Sequence, residues 1–128
     1  HAGGRARGRR GRMKAADHRV VSGDGIELVL TTFGTEADAI RVIRALVEEG
    51  LAACGTMLPG ARSVYRWNGV VEDAPEWMVI FKVASCCRER FAARLADLHP
   101  YEVPEMVFLG PSGVSAPYRG WLLGEASG

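Results

Sequence analysis

Arg62-Ser63-Val64-Tyr65-Arg66-Trp67-Asn68-Gly69-Val70-Val71-Glu72 lies at the centre of the 128-residue chain and governs its topology. Residues 62–67 alternate in polarity as a half-buried strand does. Asn68-Gly69 supplies two residues that tolerate positive φ, the requirement of a two-residue hairpin turn. Val70-Val71-Glu72 then starts a return strand. The middle of the chain is therefore a β-hairpin, and the segments on either side of it decide the fold.

Upstream, Leu51–Leu58 is an apolar run that Pro59-Gly60 should stop. Before it, Thr35-Glu36-Ala37-Asp38 has the form of a helix start, with Thr35 as the cap. Ile40, Ile43, Leu46 and Val47 predict the buried helical face. Gly50 suits the left-handed position just past the helix end. Ile26–Phe33 is β-branched and apolar, the composition of a central strand.

Downstream, Asp73-Ala74-Pro75 should interrupt the return strand. Trp77–Val83 then reads as a buried strand in which Lys82 is the one charge. A second helix is expected from about Ser85, with Cys87, Phe91, Leu95 and Leu98 on its apolar face. His99-Pro100 ends it, because a residue before proline avoids the helical region. Val103–Leu109 predicts another strand, Gly110–Pro117 a loop and Tyr118–Glu125 a terminal helix.

The order β-α-β-β-α-β plus a C-terminal helix predicts an α+β, ferredoxin-like split βαβ fold: one antiparallel sheet with both long helices on one face. Tyr65, Trp67, Trp77 and Phe81 are more aromatic surface than two helices cover. An uncovered apolar face points to an oligomer.

Apolar residues make up 48% and charged residues 24% of the chain, ordinary for a globular domain and against global disorder. The net charge of +1 hides an asymmetry. Residues 1–25 carry seven basic and two acidic side chains, and little that can form a core. They are expected to be a disordered basic tail or an upstream extension, with the domain running from 26 to 128. That domain is mildly acidic, which argues against nucleic-acid binding by the folded body. The longest uncharged stretch, Met106–Tyr118, is too short and too rich in Gly and Pro to span a membrane. Three cysteines, two of them adjacent, form no disulfide framework, and this predicts a reducing compartment, the cytoplasm.

No phosphate-cradling glycine loop, zinc-protease, CxxC or nucleophile-elbow motif occurs, so an enzyme is not expected. Three groups of residues can carry chemistry. Cys54 is either a soft ligand or a buried packing residue. His99-Pro100-Tyr101-Glu102-Val103-Pro104-Glu105 offers an imidazole, a phenol and two carboxylates, or else a helix end followed by a rigid connector. Lys82 is either an anion-binding lysine or half of a buried ion pair with Glu102 or Glu105.

Several of these stretches together resemble one family, the CutA divalent-cation tolerance proteins. They are Ala45-Leu46-Val47-Glu48-Glu49-Gly50-Leu51-Ala52-Ala53-Cys54, Tyr65-Arg66-Trp67-Asn68-Gly69, Lys82 with Arg88-Glu89-Arg90-Phe91 after it, and above all His99–Glu105. Tyr118 and Trp121 match the terminal helix, and the similarity covers about residues 26–124. The resemblance implies a homotrimer, a role in tolerance of copper and other divalent cations, and no catalytic reaction. It also implies a site in clefts between subunits, which maps here onto Cys54, Tyr65, Trp67, Lys82, His99, Tyr101, Glu102 and Trp121. On this reading Cys54 and His99 hold a divalent metal, copper, and the others line the cleft. Alternatives are a trimeric signalling module resembling PII proteins, binding a small anion or nucleotide, and a ligand-free trimeric scaffold. The sequence departs from the family pattern at Gly55-Thr56, where Val-Asn is usual, and at Val83, where threonine is preferred.

Overall fold

The computed structural model describes residues 17–125. The elements run β1 (Val20–Ser22), β2 (Ile26–Phe33), α1 (Glu36–Glu48), β3 (Cys54–Trp67), β4 (Val70–Ala84), a 3₁₀ turn (Ser85–Cys87), α2 (Arg88–Leu98), β5 (Val107–Leu109), β6 (Gly113–Ser115) and α3 (Ala116–Glu125). The main sheet has the order β3-β4-β2-β5 with every neighbour antiparallel. This is an α+β chain with the strand order of the split βαβ arrangement.

Local chemistry explains where the elements begin and end. Asn68 and Gly69 both take positive φ, 51° and 81°, and Trp67 pairs with Val70 across the turn. Thr35 accepts a hydrogen bond from the Asp38 backbone N–H at 3.1 Å and caps α1. At the other end Gly50 N–H donates to Val47 C=O and Leu51 N–H to Leu46 C=O, both at 3.0 Å, which satisfies carbonyls the helix leaves open. Glu49, unfavourable at a helix C-terminus, is held by Arg94 of α2 through two hydrogen bonds of 2.9 Å. His99 is extended, which stops α2 ahead of Pro100.

The core lies between the sheet and the two long helices. Val29, Phe33, Val79, Phe81 and Val83 from the sheet pack on Val42 and Leu46 of α1 and on Phe91 and Leu95 of α2, all fully buried. Each such side chain contributes about 1.5–3 kcal/mol on leaving water. The buried stripe of α1 is Ala39, Val42 and Leu46, with Ile43 packed at its edge. Ile40 and Val47 are exposed, contrary to the periodicity reading. Two overlapping stripes share Leu46, and the small Ala39 is the one set against the sheet. Gly55 also has a packing reason: a Cβ there would stand 2.9 Å from Ile43 Cγ2 and 3.0 Å from the Phe81 ring. The usual valine does not fit this core.

The hairpin is longer than the sequence suggested. Pro59-Gly60 does not stop β3 but is absorbed as a shift of register between Leu58 and Ala61. Asp73-Ala74-Pro75 stays within β4. Pairing of β4 with β2 ends at Trp77, so Pro75 has no third strand beside it and its missing N–H costs that side nothing. Residues 61–76 form an arm beyond the sheet. Conversely, β5 spans only Val107–Leu109, because Pro100 and Pro104 constrain the chain before it.

Two expectations need correction. The ordered body begins before residue 26, since Val20–Ser22 pairs antiparallel with Gly113–Ser115 and residues 17–25 are not a loose tail; the remainder of the expected tail, 1–16, lies outside the described residues. Trp77 and Phe81 are not surplus aromatics either. Phe81 is fully buried and Trp77 packs on the helix-side core. On the opposite sheet face α3 seals one end, where Leu122 packs with Ile26 and Ala53. Leu58, Val107 and Leu109 on that face remain exposed. Among the described residues no helix is long and apolar enough to cross a membrane.

Candidate functional site: an acidic groove at the base of the arm

Where the arm leaves the sheet, β4 carries Glu76 and β3 carries Ser63. The carboxylate of Glu76 is only 7% exposed. Ser63 Oγ donates to its Oε1 at 2.7 Å, and the Tyr101 hydroxyl donates to its Oε2 at 2.6 Å. No cationic side chain pairs with it among the described residues. Burial, then the contact with Glu76, pushes the Tyr101 phenol far above its ordinary value, so it stays a protonated donor. Above this pair opens a groove of about 810 Å³, lined by Tyr65 and Trp67 of the arm and by Glu102 and Glu105 of the connector.

The connector is anchored by His99, whose ring is buried and stacks on Phe33 at 4.3 Å. Its Nε2 lies 2.8 Å from Thr32 C=O, and its Nδ1 accepts from the Tyr101 N–H at 3.1 Å. A carbonyl only accepts and an amide N–H only donates, so the ring is neutral with its proton on Nε2. Both nitrogens therefore serve the fold.

Desolvation lowers the His99 pKa, against the opposing pull of Thr32 C=O and Glu76. The sign follows from linkage. The unfolded imidazole takes up its proton near its ordinary value of about 6.5, while the folded one resists until lower pH. Stability is thus complete above about pH 6.5 and falls as pH drops below it. In urea titrations at pH 7.5 and 5.0, the wild type should lose more stability on acidification than His99→Gln does. Equal losses would remove His99 from the account.

The eight residues expected to share a site divide into two groups. Tyr65, Trp67, His99, Tyr101 and Glu102 gather at the arm end of the sheet. Cys54, Lys82 and Trp121 lie at the other end. Cys54 pairs with Lys82 in register, and Lys82 Nζ stands 3.9 Å from Cys54 Sγ and 5.8 Å from the Tyr118 ring, itself beside Trp121. The Cys54 row of β4 is at Lys82, whereas the Thr32 carbonyl that holds His99 is on the row of Met78. Four residues of strand are about 13 Å. Cys54 and His99 are therefore not brought together within one chain, and His99 has no free ring nitrogen to offer a metal. Nor does Lys82 pair with Glu102 or Glu105, which belong to the far end; it faces the thiol. Among the described residues no three His, Cys, Asp or Glu side chains converge on one point.

Glu76 and Ser63 were not singled out by sequence. The available signal was a lone acid bordering the apolar run Trp77–Val83, a position where a carboxylate is costly without partners.

Comparison with known proteins agrees with this architecture. A family model described as CutA1 divalent ion tolerance protein matches residues 27–125. A divalent-cation tolerance protein CutA from Thermus thermophilus is 40% identical over 96 residues, covering 75% of this chain and 93% of that protein. Its counterpart from Pectobacterium atrosepticum is 38% identical over 95 residues, covering 74% and 86%. The solved structure of CutA from Synechococcus elongatus superposes with a TM-score of 0.82 at 35% identity, covering 85% of this chain and 96% of that one.

Proposed function

From the membership of this chain in the CutA1 divalent ion tolerance family, shown by the match over residues 27–125, we propose that it serves divalent-cation tolerance as a cytoplasmic homotrimer and binds its cation at the Glu76 groove. The observation that carries this reading is the buried Glu76 carboxylate, oriented by two hydroxyls and facing a groove whose lining arginine, Arg62, is bound to Asp73 instead. A buried charge is costly until something of opposite sign meets it, and a divalent cation does so. Glu76 is a hard oxygen donor, and water or a neighbouring subunit completes the coordination. The division of the expected site residues between two ends of one sheet supports the trimer, because a site using both ends needs a second subunit. Three free cysteines support a reducing compartment.

Copper, the metal implied by the sequence resemblance, draws on the thiolate of Cys54 instead, with ligands from a neighbouring subunit. Calorimetric titration of the full chain with Cu2+ and Mn2+ separates these readings. Glu76→Gln keeps the shape of the side chain and one of its two accepting oxygens while removing the charge. It should weaken cation binding about tenfold or more, a change of about 1.4 kcal/mol for each tenfold. Unchanged affinity in Glu76→Gln with loss in Cys54→Ser assigns the cation to the thiol end. Binding of neither metal leaves the buried cluster as an interface element in a scaffold.

A further inference from the structure

Cys86 and Cys87 belong to neither the Glu76 groove nor the Cys54–Lys82 end of the sheet, although Cys87 packs in the helix-side core. They lie in the 3₁₀ turn that leads into α2, with Cys86 exposed and Cys87 buried. Adjacent residues usually send their side chains apart, but here the two sulfurs face one another at 3.9 Å. We propose that Cys86 and Cys87 form a bidentate dithiolate site for a soft metal ion at the start of α2, separate from the Glu76 groove.

The geometry suits chelation. With metal–thiolate bonds of about 2.3 Å, a 3.9 Å sulfur separation gives an angle of about 116° at the metal, between tetrahedral and trigonal values. The sulfurs thus need little movement, and water or an external ligand completes the coordination from the exposed Cys86 side.

Burial disfavours a bare thiolate at Cys87, and the nearby Arg90 offsets that cost only in part. Cys87 is the N-cap of α2 and makes no side-chain cap hydrogen bond, so its sulfur is not committed to the helix. The helix N-terminus favours an anion at this position. The Arg90 guanidinium also reaches Cys87 Sγ at 3.7 Å. Cys87 is 1% exposed and packs in the helix-side core, so an ion reaches it from the side of the exposed Cys86. A thiol loses its proton on binding a metal, so binding weakens as pH falls. The chemical class follows from the donors: two thiolates select soft ions over hard ones.

Cadmium is a suitable probe, because it does not oxidise thiols and its thiolate complexes absorb in the ultraviolet through sulfur-to-metal charge transfer. Titrating the reduced full chain with Cd2+ should produce this band. Cys86→Ser changes an exposed side chain, leaves the core intact and should abolish the band. Cys87→Ser should do the same, with circular dichroism showing whether it remains folded. Cys54→Ser and Glu76→Gln should each leave the band in place, so failure of this site and failure of the groove are distinguishable. A band of full size in Cys86→Ser, or its loss in Cys54→Ser, overturns the proposal.

Discussion

Val70→Asp should convert the assembled protein into a monomer of 13.8 kDa, where the unsubstituted chain should scatter light as a particle about three times that mass. The arm formed by residues 61–76 extends beyond the sheet, and it exposes apolar side chains that a lone subunit has no reason to display. Val70 is 57% exposed, and its register partner Trp67 and the nearby Tyr65 share its face of the arm. Leu58, Val107 and Leu109 continue this uncovered surface across the sheet face that α3 leaves open. Contiguous apolar area of this kind marks an interface. A permanent assembly buries about 2,000 Å² or more. Placing one carboxylate in each copy of such an interface costs several kcal/mol per ion without a partner charge, and the cost recurs at every copy of the interface. Dissociation should therefore be complete at micromolar concentration, while far-ultraviolet circular dichroism keeps the monomer's signature. A monomeric mass for the unsubstituted protein would remove the trimer and any site shared between subunits.

The second large effect is expected at Phe91. This fully buried ring meets Phe81 edge-on at 5.1 Å and Phe108 at 6.3 Å, so it joins α2 to β4 and β5 at once. Phe91→Ala removes those contacts and leaves a cavity that the two neighbouring rings cannot fill. A loss of about 3–5 kcal/mol is expected, a large share of the roughly 5–15 kcal/mol that holds a domain folded. Phe91→Leu retains most of the volume and should cost less than about 1.5 kcal/mol. Urea midpoints for the three proteins, taken at one protein concentration because assembly contributes to stability, provide the check. A loss below about 1 kcal/mol in the alanine variant would show that the core closes over the gap.

The sequence by itself determined the features that depend on a few neighbouring residues. Asn68-Gly69 specified the hairpin because its turn needs two positive φ angles and nothing remote. Thr35 and Gly50 bounded α1 through hydrogen bonds within one turn, and the Cys87, Phe91 and Leu95 stripe of α2 followed from helical spacing. The tertiary structure alone decided which distant residues meet. Val20–Ser22 and Gly113–Ser115 are short and have no periodicity of their own, and they become strands only when the folded body brings them side by side. Glu76 and Tyr101, 25 residues apart, share a proton donor and acceptor only because α2 returns the connector to the base of the arm. Cys54 and His99, which the family resemblance puts in one metal site between subunits, sit about four strand residues apart within one chain, roughly 13 Å. Residue type states which chemistry a side chain can perform, but the sheet register sets the distance over which it acts, and that register depends on closing loops between segments far apart in the chain.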